Sequence, residues 1–230
     1  MKRIPIYLIL TLLLLNSFHP FAQDSDQSGR NSVIKFTPSK LMRGEILFSY
    51  ERKIAEQASL ELSFGPAISN VFPINLDHLL GNGSNAQETS LLGFTTSLGA
   101  RYYPLEDKDA MEGFYISPVF GFTQLNYLFS AQNYGFQGGA QIADIRGKSN
   151  QSSFAFVFGI QKWLTRSFSL DMYIGSGLKQ VNENNYYLNY LNDPYTGQMI
   201  SAVWVDNPIT DVRWFLTGGV KIGLGFGKKR

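Results

Sequence analysis

Apolar residues recur at every second position over five stretches of the chain, with small or polar residues between them. A period of two is typical of β-strands, whose successive side chains point to opposite faces. No amphipathic helical pattern separates the stretches, so the sequence predicts an all-β fold. The alternating positions are Leu60, Leu62, Phe64; Leu92, Phe94, Thr96, Leu98, Ala100; Phe154, Phe156, Phe158, Ile160; Phe168, Leu170, Met172, Ile174; and Val220, Ile222, Leu224, Phe226.

Short and long connections alternate between these expected strands. This alternation is typical of outer-membrane barrels, which have short periplasmic turns and long external loops. The pattern also predicts the strand count. Seven strands are evident from residue 44 onward, and the first of them must run inward to reach a short turn, so an outward strand over residues 32–40 has to precede it. The expected short connections are residues 54–57, 104–111 and 165–167, and the long ones are 70–89, 130–151 and 181–211.

The sequence therefore predicts an eight-stranded antiparallel up-and-down transmembrane β-barrel over residues 32–227. The interior of such a barrel is only just wide enough for its own side chains. Phe154, Phe156 and Phe158 are too bulky for it and are expected to face outward, with Gly, Ser and Thr inside. A water-soluble barrel with the opposite arrangement is the alternative. Aromatic residues near strand ends suit interfacial girdles: Tyr102, Tyr103, Tyr127, Trp163, Trp214 and Phe226.

The N-terminus has the order of parts of a secretory signal peptide. Lys2 and Arg3 precede an apolar run of about ten residues, half of what a membrane-spanning helix needs. We expect cleavage after Ala22, which leaves residues 23–31 as a short periplasmic segment before the barrel. Residues 228–230 form a basic tail after it. A permanent N-terminal anchor is the alternative.

Composition removes several classes of function. The chain contains no cysteine, which excludes lipoprotein anchoring, disulfides and thiolate metal sites. Lys and Arg number 20 against 18 Asp and Glu, and loss of Lys2 and Arg3 with the signal makes the mature chain formally neutral. We therefore expect no nucleic-acid partner, and neither a metal nor a cofactor is expected.

Several segments resemble the OmpA-like group of small outer-membrane β-barrel domains. They are residues 47–53 with 59–62, residues 100–104 with 113–118, and the apolar alternation that ends at Phe226. The resemblance implies the outer membrane of a Gram-negative bacterium, contact with its lipid and lipopolysaccharide, and recognition by the barrel-assembly machinery. It implies no common chemistry. No peptidoglycan-binding domain follows, so the wall-tethering role within that group is not carried over.

Catalytic chemistry depends on one histidine, because His19 leaves with the signal. His78 lies beside Asp77, with Ser84 nearby. A lipid A- or phospholipid-modifying barrel enzyme would need a serine and a histidine within hydrogen-bond reach, oriented by a carboxylate. Neighbours in sequence do not supply that geometry, so we assign no catalytic residue and keep the enzyme as an alternative.

Two sets of residues are candidates for other roles. Charged residues at inward positions must pair in a narrow interior, because an unpaired buried charge is costly; they either plug the barrel or gate a narrow pore. Tyr side chains among Asn residues in the expected external loop offer a contact surface. The sequence thus predicts a non-enzymatic, structural or surface-contact barrel with an unknown loop ligand. The charged set is Glu51, Glu61, Arg101, Asp171, Arg213 and Lys221; the loop set is Tyr186, Tyr187, Tyr190 and Tyr195.

Overall fold

The computed structural model describes residues 31–68, 88–105, 110–129, 144–192 and 199–227. The expected signal peptide, residues 23–30, His78 and the basic tail lie outside the described residues. Eight strands and one short 3-10 helix (Pro38–Arg43) make up the described chain. The strands are β1 (Ser32–Phe36), β2 (Phe48–Ala55), β3 (Ala58–Ile68), β4 (Glu88–Tyr102), β5 (Gly113–Phe129), β6 (Ile145–Trp163), β7 (Phe168–Asn192) and β8 (Met199–Phe226).

The strands form one antiparallel sheet that closes on itself. Each strand pairs with its neighbours in chain order, and β1 pairs with β8 over five residues to complete the ring. The predicted all-β, antiparallel architecture is confirmed. Because every strand in the ring has two neighbours, the interior is enclosed by side chains from all eight strands.

Tight connections gather at one end of the closed sheet, which we call the short-turn end. Glu56 and Gln57 link β2 to β3, and residues 164–167 link β6 to β7. The segment after β4 is tied to the first of these turns, because the Tyr103 amide donates to the Gln57 carbonyl over 2.8 Å. The expected short turns between β2 and β3 and between β6 and β7 are therefore present, and the described ends of the third, around Tyr103 and Ala110, are hydrogen-bonded to the first.

The connection between β1 and β2 differs from the prediction. A strand was expected over residues 32–40, but β1 ends at Phe36 and the 3-10 helix follows, ending at Gly44 in the left-handed region (φ 74°). Pro38 explains the break, since it lacks the N–H that a ladder needs and suits the first turn of a helix. The Ser39 hydroxyl accepts a hydrogen bond from the Val220 amide over 3.1 Å, which attaches the helix to β8.

The prediction of a loop over residues 181–211 is wrong for most of that range. β7 continues to Asn192 and β8 begins at Met199, with pairs from Val181↔Asp211 to Asn189↔Val203. Among the described residues β6 pairs with β7 only as far as Glu183, and beyond it residues 184–192 of β7 and 199–208 of β8 pair with each other. We call these two segments the β7–β8 arm. At about 3.3 Å per residue, the 28 residues of β8 extend roughly 90 Å.

The face assignment made from the sequence is confirmed. Phe156 and Phe158 are about half exposed on the outside, whereas Ser63, Ser117 and other small polar residues point inward and are buried. In the described part of the chain, no helix has the length and apolar character needed to cross a membrane.

Candidate functional site

Every strand sends one side chain into a charged group inside the closed sheet, the interior cluster. The register places these side chains at one level: Glu51 lies opposite Glu61, and Asp171 lies opposite both Gln161 and Lys221. Small neighbours such as Gly99 and Gly223 leave room for them. The cluster consists of Lys35, Glu51, Glu61, Arg101, Tyr115, Gln161, Asp171 and Lys221, with Tyr103 just beyond β4.

Three cations and three carboxylates neutralise one another in this cluster. Lys35 Nζ lies 2.6 Å from Glu51 Oε2 and 2.8 Å from Asp171 Oδ2. Arg101 holds Asp171 at 2.8 Å and Glu61 at 2.5 Å through different guanidinium nitrogens, and Lys221 pairs with the other Glu61 oxygen. Because all six side chains are buried or nearly so, their pairing is a condition for the sheet to close.

Neutral groups complete the hydrogen bonding around the charges. The Tyr103 hydroxyl donates to Glu51 and the Tyr115 hydroxyl donates to Asp171, each over 2.8 Å. The Gln161 side-chain carbonyl accepts from Lys35 at 2.8 Å and from Arg101 at 3.1 Å. Arg101 also lies 4.2 Å from the centre of the Tyr115 ring, a cation–π contact that suits its planar group. The arrangement fixes charges in place and leaves no side chain positioned as an activated nucleophile within the cluster.

The structure brings together five of the six charged residues expected inside. Glu51, Glu61, Arg101, Asp171 and Lys221 belong to the interior cluster, as described above. Arg213 does not, which corrects the prediction: it is exposed, eight residues from Lys221 along β8 towards the arm.

Sequence reasoning missed four members of the cluster. Lys35 was detectable, because the apolar Ile34 and Phe36 share one face of an alternating strand and the residue between them must point to the other face. Tyr115 and Gln161 occupy inward positions of their strands by the same rule. Tyr103 lies beyond the end of β4, where alternation no longer applies, and it had been expected in an interfacial girdle.

A cavity of about 160 Å³ lies next to the cluster on the side away from the short-turn end. Its floor includes Glu61, Arg101 and Lys221, and the 3-10 helix borders it with Lys40 and Arg43. Most of the wall is hydroxyl-bearing or apolar: Ser63, Thr95, Ser97, Ser117, Val119, Thr123, Ser153, Ala155, Val157, Phe215 and Thr217.

Three of the four tyrosines expected in an external loop lie on strand β7, which corrects that prediction for these three. Tyr186 packs edge-on against the buried Phe129 of β5, with ring centres 5.5 Å apart, and Trp204 of β8 lies 6.3 Å from the same ring. Tyr187 is about half exposed, Tyr190 also lies on β7, and Tyr195 is outside the described residues. The aromatic contacts attach the base of the arm to β5.

Among the described residues there is no group of three or more His, Cys, Asp or Glu side chains arranged to hold a metal ion. Asp77, His78 and Ser84 lie outside those residues. Comparison with protein-family models, with curated proteins and with solved structures finds no match to this chain.

Proposed function

We propose that this chain is an eight-stranded barrel of the outer membrane of a Gram-negative bacterium, exported by its N-terminal signal and of the OmpA-like type. Its role is structural or one of surface contact, without a catalysed reaction. The observation that carries the proposal is the reversed distribution of polarity. Large apolar side chains cover the outside of the closed sheet, while six charged side chains pair within it.

The height of the apolar surface supports a membrane span. On β4 the outward positions from Leu92 to Tyr102 are apolar or threonine, which corresponds to about 33 Å along the strand. With a strand tilt of about 40°, that length rises about 25 Å, the height of the apolar band of outer-membrane barrels. On neighbouring strands polar outward positions begin at the Leu92 end of this apolar stretch: Gln124 of β5 lies opposite Phe94, and Gln180 of β7 lies opposite Ser152.

Contact with partners is assigned to the β7–β8 arm. Residues 184–192 and 199–208 continue beyond the last pair that β6 makes with β7 in the described chain, and the exposed Tyr187 and Val203 give the arm amphipathic surface. Tyrosine supplies a large contact area at low cost in conformational entropy. The arm thus takes the place that the sequence had given to a loop.

Fractionation of envelopes tests the location. We expect the mature protein in the outer-membrane fraction, folded in detergent at room temperature and shifted in gel mobility after boiling, because a closed sheet has few edges from which to unfold. Recovery in the soluble periplasmic fraction, without a mobility shift, would refute the proposal.

An activity assay tests the enzyme alternative. Purified wild-type and His78→Ala proteins are compared on lipid A and on phospholipid. An acyl-hydrolase activity that is present in the wild type and lost in the variant would favour an enzymatic function over the structural one.

A further inference from the structure

We propose that the open edge of β8 between Asp206 and Val212 binds an extended basic segment of another protein as an added β-strand. We call this stretch the β8 edge. The inference deepens the contact role proposed above for the β7–β8 arm, which the β8 edge overlaps, and it rests on that role. Three features of the stretch support it: its backbone groups, its exposure and its charge.

One side of β8 has no strand beside it over most of its length in the described chain. Only residues 222–226 pair with β1, whereas β7 pairs with β8 along almost its whole length. The two sides use alternate residues, because the Gly225 amide donates to Ser167 on the β7 side and the Val220 amide donates to Ser39 on the other side. Even-numbered residues therefore present their backbone groups to the open side.

The β8 edge offers an incoming strand a nearly complete set of hydrogen-bonding groups. Asp206, Thr210 and Val212 each present an N–H and a C=O, and Pro208 presents a C=O alone. A strand that adds to the edge of a sheet gains affinity from such main-chain hydrogen bonds. Lysine, which commonly protects natural edges against an added strand, is absent from the stretch.

The β8 edge is accessible on both of its faces. All seven residues from 206 to 212 are exposed. Val212 lies opposite Gln180 of β7, which lies opposite Ser152 of β6, so the stretch is level with the polar part of the outer surface. A peptide in water therefore reaches the β8 edge without entering the apolar band.

The charge of the stretch selects a basic partner. Residues 180–212 contain no Lys, Arg or His, and two carboxylates, Asp206 and Asp211, lie within the β8 edge. Because side chains alternate along a strand, Asp206 is on the outer face and Asp211 on the inner face. Arg213, the first basic residue beyond the stretch, acts on Glu183 of β7. Complementary charge favours a basic strand at this edge and disfavours an acidic one.

The positions of the two carboxylates define a spacing in the partner. Asp206 and Asp211 are five residues apart, so cations directly opposite them in an added strand must also be five residues apart. Opposite side chains on neighbouring antiparallel strands have Cβ atoms about 4.5–5.5 Å apart, which is within reach of a lysine ammonium. We therefore expect Lys or Arg at positions i and i+5 of the bound segment.

Titration of the folded full-length protein with a synthetic peptide tests the proposal. The peptide Thr-Lys-Val-Thr-Val-Thr-Lys-Val-Thr has two lysines five residues apart and is called the lysine peptide. We expect it to bind one-to-one and to slow the amide exchange of Thr210 and Val212, measured by residue-resolved NMR, by at least about tenfold. The exchange of Val205 and Ile209, whose amides point to β7, should not change.

Two control peptides separate charge and spacing from non-specific association. The isomer Thr-Lys-Val-Thr-Val-Lys-Thr-Val-Thr has the same composition, but its lysines are four residues apart. It should bind about threefold more weakly, because it loses one exposed ion pair. The lysine peptide with glutamate in place of both lysines should bind at least about tenfold more weakly.

Variants of the protein locate the binding site. Asp206→Asn combined with Asp211→Asn should weaken binding of the lysine peptide by about tenfold, the loss of two exposed ion pairs. Glu56→Gln is the matched control, because Glu56 is an exposed carboxylate at the short-turn end; it should bind like wild type. Val212→Pro removes an N–H from the open side alone, so it should fold and yet bind at least about fivefold more weakly. A mobility shift on boiling, recorded for each variant, establishes that the protein compared is folded.

Several outcomes would overturn the proposal. These are the absence of saturable binding by the lysine peptide, equal binding by either control peptide, or an equal loss in Glu56→Gln. A wild-type protein that is dimeric by light scattering, and monomeric as Val212→Pro, would also overturn it by assigning the β8 edge to a second copy. Each of these results leaves the test of location unaffected, and a soluble protein that bound the lysine peptide would refute the location alone.

Discussion

At the scale of single residues, Gly159 shows how closely the interior cluster is packed. A Cβ added at this position would lie 2.4 Å from Cζ of Tyr115. That ring has no room to move, because its hydroxyl is bound to Asp171 and its face is covered by Arg101. The absence of a Cβ at this position of β6 therefore permits the arrangement of an ion-pair network whose members lie on six other strands.

Gly159→Ala is expected to lower the free energy of unfolding by about 1–3 kcal/mol, the usual effect of overpacking. Gly218→Ala serves as a control, because an added Cβ there would meet its nearest atom, the Tyr173 carbonyl oxygen, at 3.2 Å and the position is exposed. Urea unfolding of the two variants in detergent gives the comparison. Equal tolerance at both sites would show that Tyr115 can adopt another position.

Arg101→Ala is expected to destabilise the protein by about 3–5 kcal/mol, because it leaves buried carboxylates without their shared partner. Arg213→Ala is the matched control for stability, since Arg213 was predicted to belong to the same network but is exposed.

The conductance of planar bilayers tests whether the interior cluster also plugs the closed sheet. If it does, Arg101→Ala should raise the conductance. A large, steady conductance of the wild-type protein would contradict the plug and favour the narrow pore.

Alternation of residues predicts the face of a side chain but not its height along a strand. Lys221 and Arg213 share the inward parity of β8, and only the register with β7 shows that one lies opposite Asp171 and the other opposite Lys179. Strand lengths and pairings decide such heights, and the sequence does not display them. This is why five of six expected interior charges come together and the sixth does not.

At the scale of elements, β8 is paired unequally on its two sides. It pairs with β7 over most of its length but with β1 only from Ile222 to Phe226. The Gly225 amide donates to Ser167, on the β7 side, and the Val220 amide donates to Ser39, on the other side. Odd-numbered amides of β8 therefore point to β7 and even-numbered amides point away, and Pro208 places its missing N–H on the second side, as edge strands prefer.

Amide hydrogen exchange should follow this parity in the arm. We expect Val205, Asn207 and Ile209 to exchange at least about tenfold more slowly than Asp206 and Thr210, because no strand in the described part of the chain pairs with β8 on the second side. The measurement is residue-resolved exchange by NMR on the folded protein in detergent. Equal protection of both sets would show that a further strand covers this edge.

The amino-acid pattern of the β7–β8 arm explains why its strands were predicted to be a loop. A strand alternates apolar and polar residues when one face of its sheet is buried. A ribbon with polar surroundings on both faces does not require this alternation, so its sequence need not show it. Residues 184–192 accordingly mix Asn with Tyr and Leu at both parities. The signals available were β-forming residues such as Val203, Val205 and Ile209, and they are outnumbered by polar neighbours.

At the scale of the whole molecule, polarity is arranged from outside to inside in the reverse of a water-soluble protein. Trp214 and Leu216 on β8 are about three quarters exposed, while Lys35 and Glu51 are fully buried. The ion pairs satisfy the interior, but the outer apolar side chains keep large exposed areas even where their rings contact one another: Phe156 packs against Phe154 and is still about half exposed. The proposed location in a membrane would cover that area with apolar solvent.

Phe156→Arg distinguishes a lipid environment from water. Phe156 lies on the outer face between Pro118 and Ser176, about half exposed. In water, arginine at such a position should change stability by less than about 0.5 kcal/mol, whereas near the middle of a bilayer it should destabilise by about 2–4 kcal/mol. We expect the larger effect when the protein is unfolded by urea from lipid vesicles. Ser152→Arg is the matched control, because Ser152 faces outward on the same strand beside Asn150 and opposite Gln180, where the surface is polar and arginine should be tolerated. Effects below about 0.5 kcal/mol at both positions would place both in water and contradict the proposed membrane location.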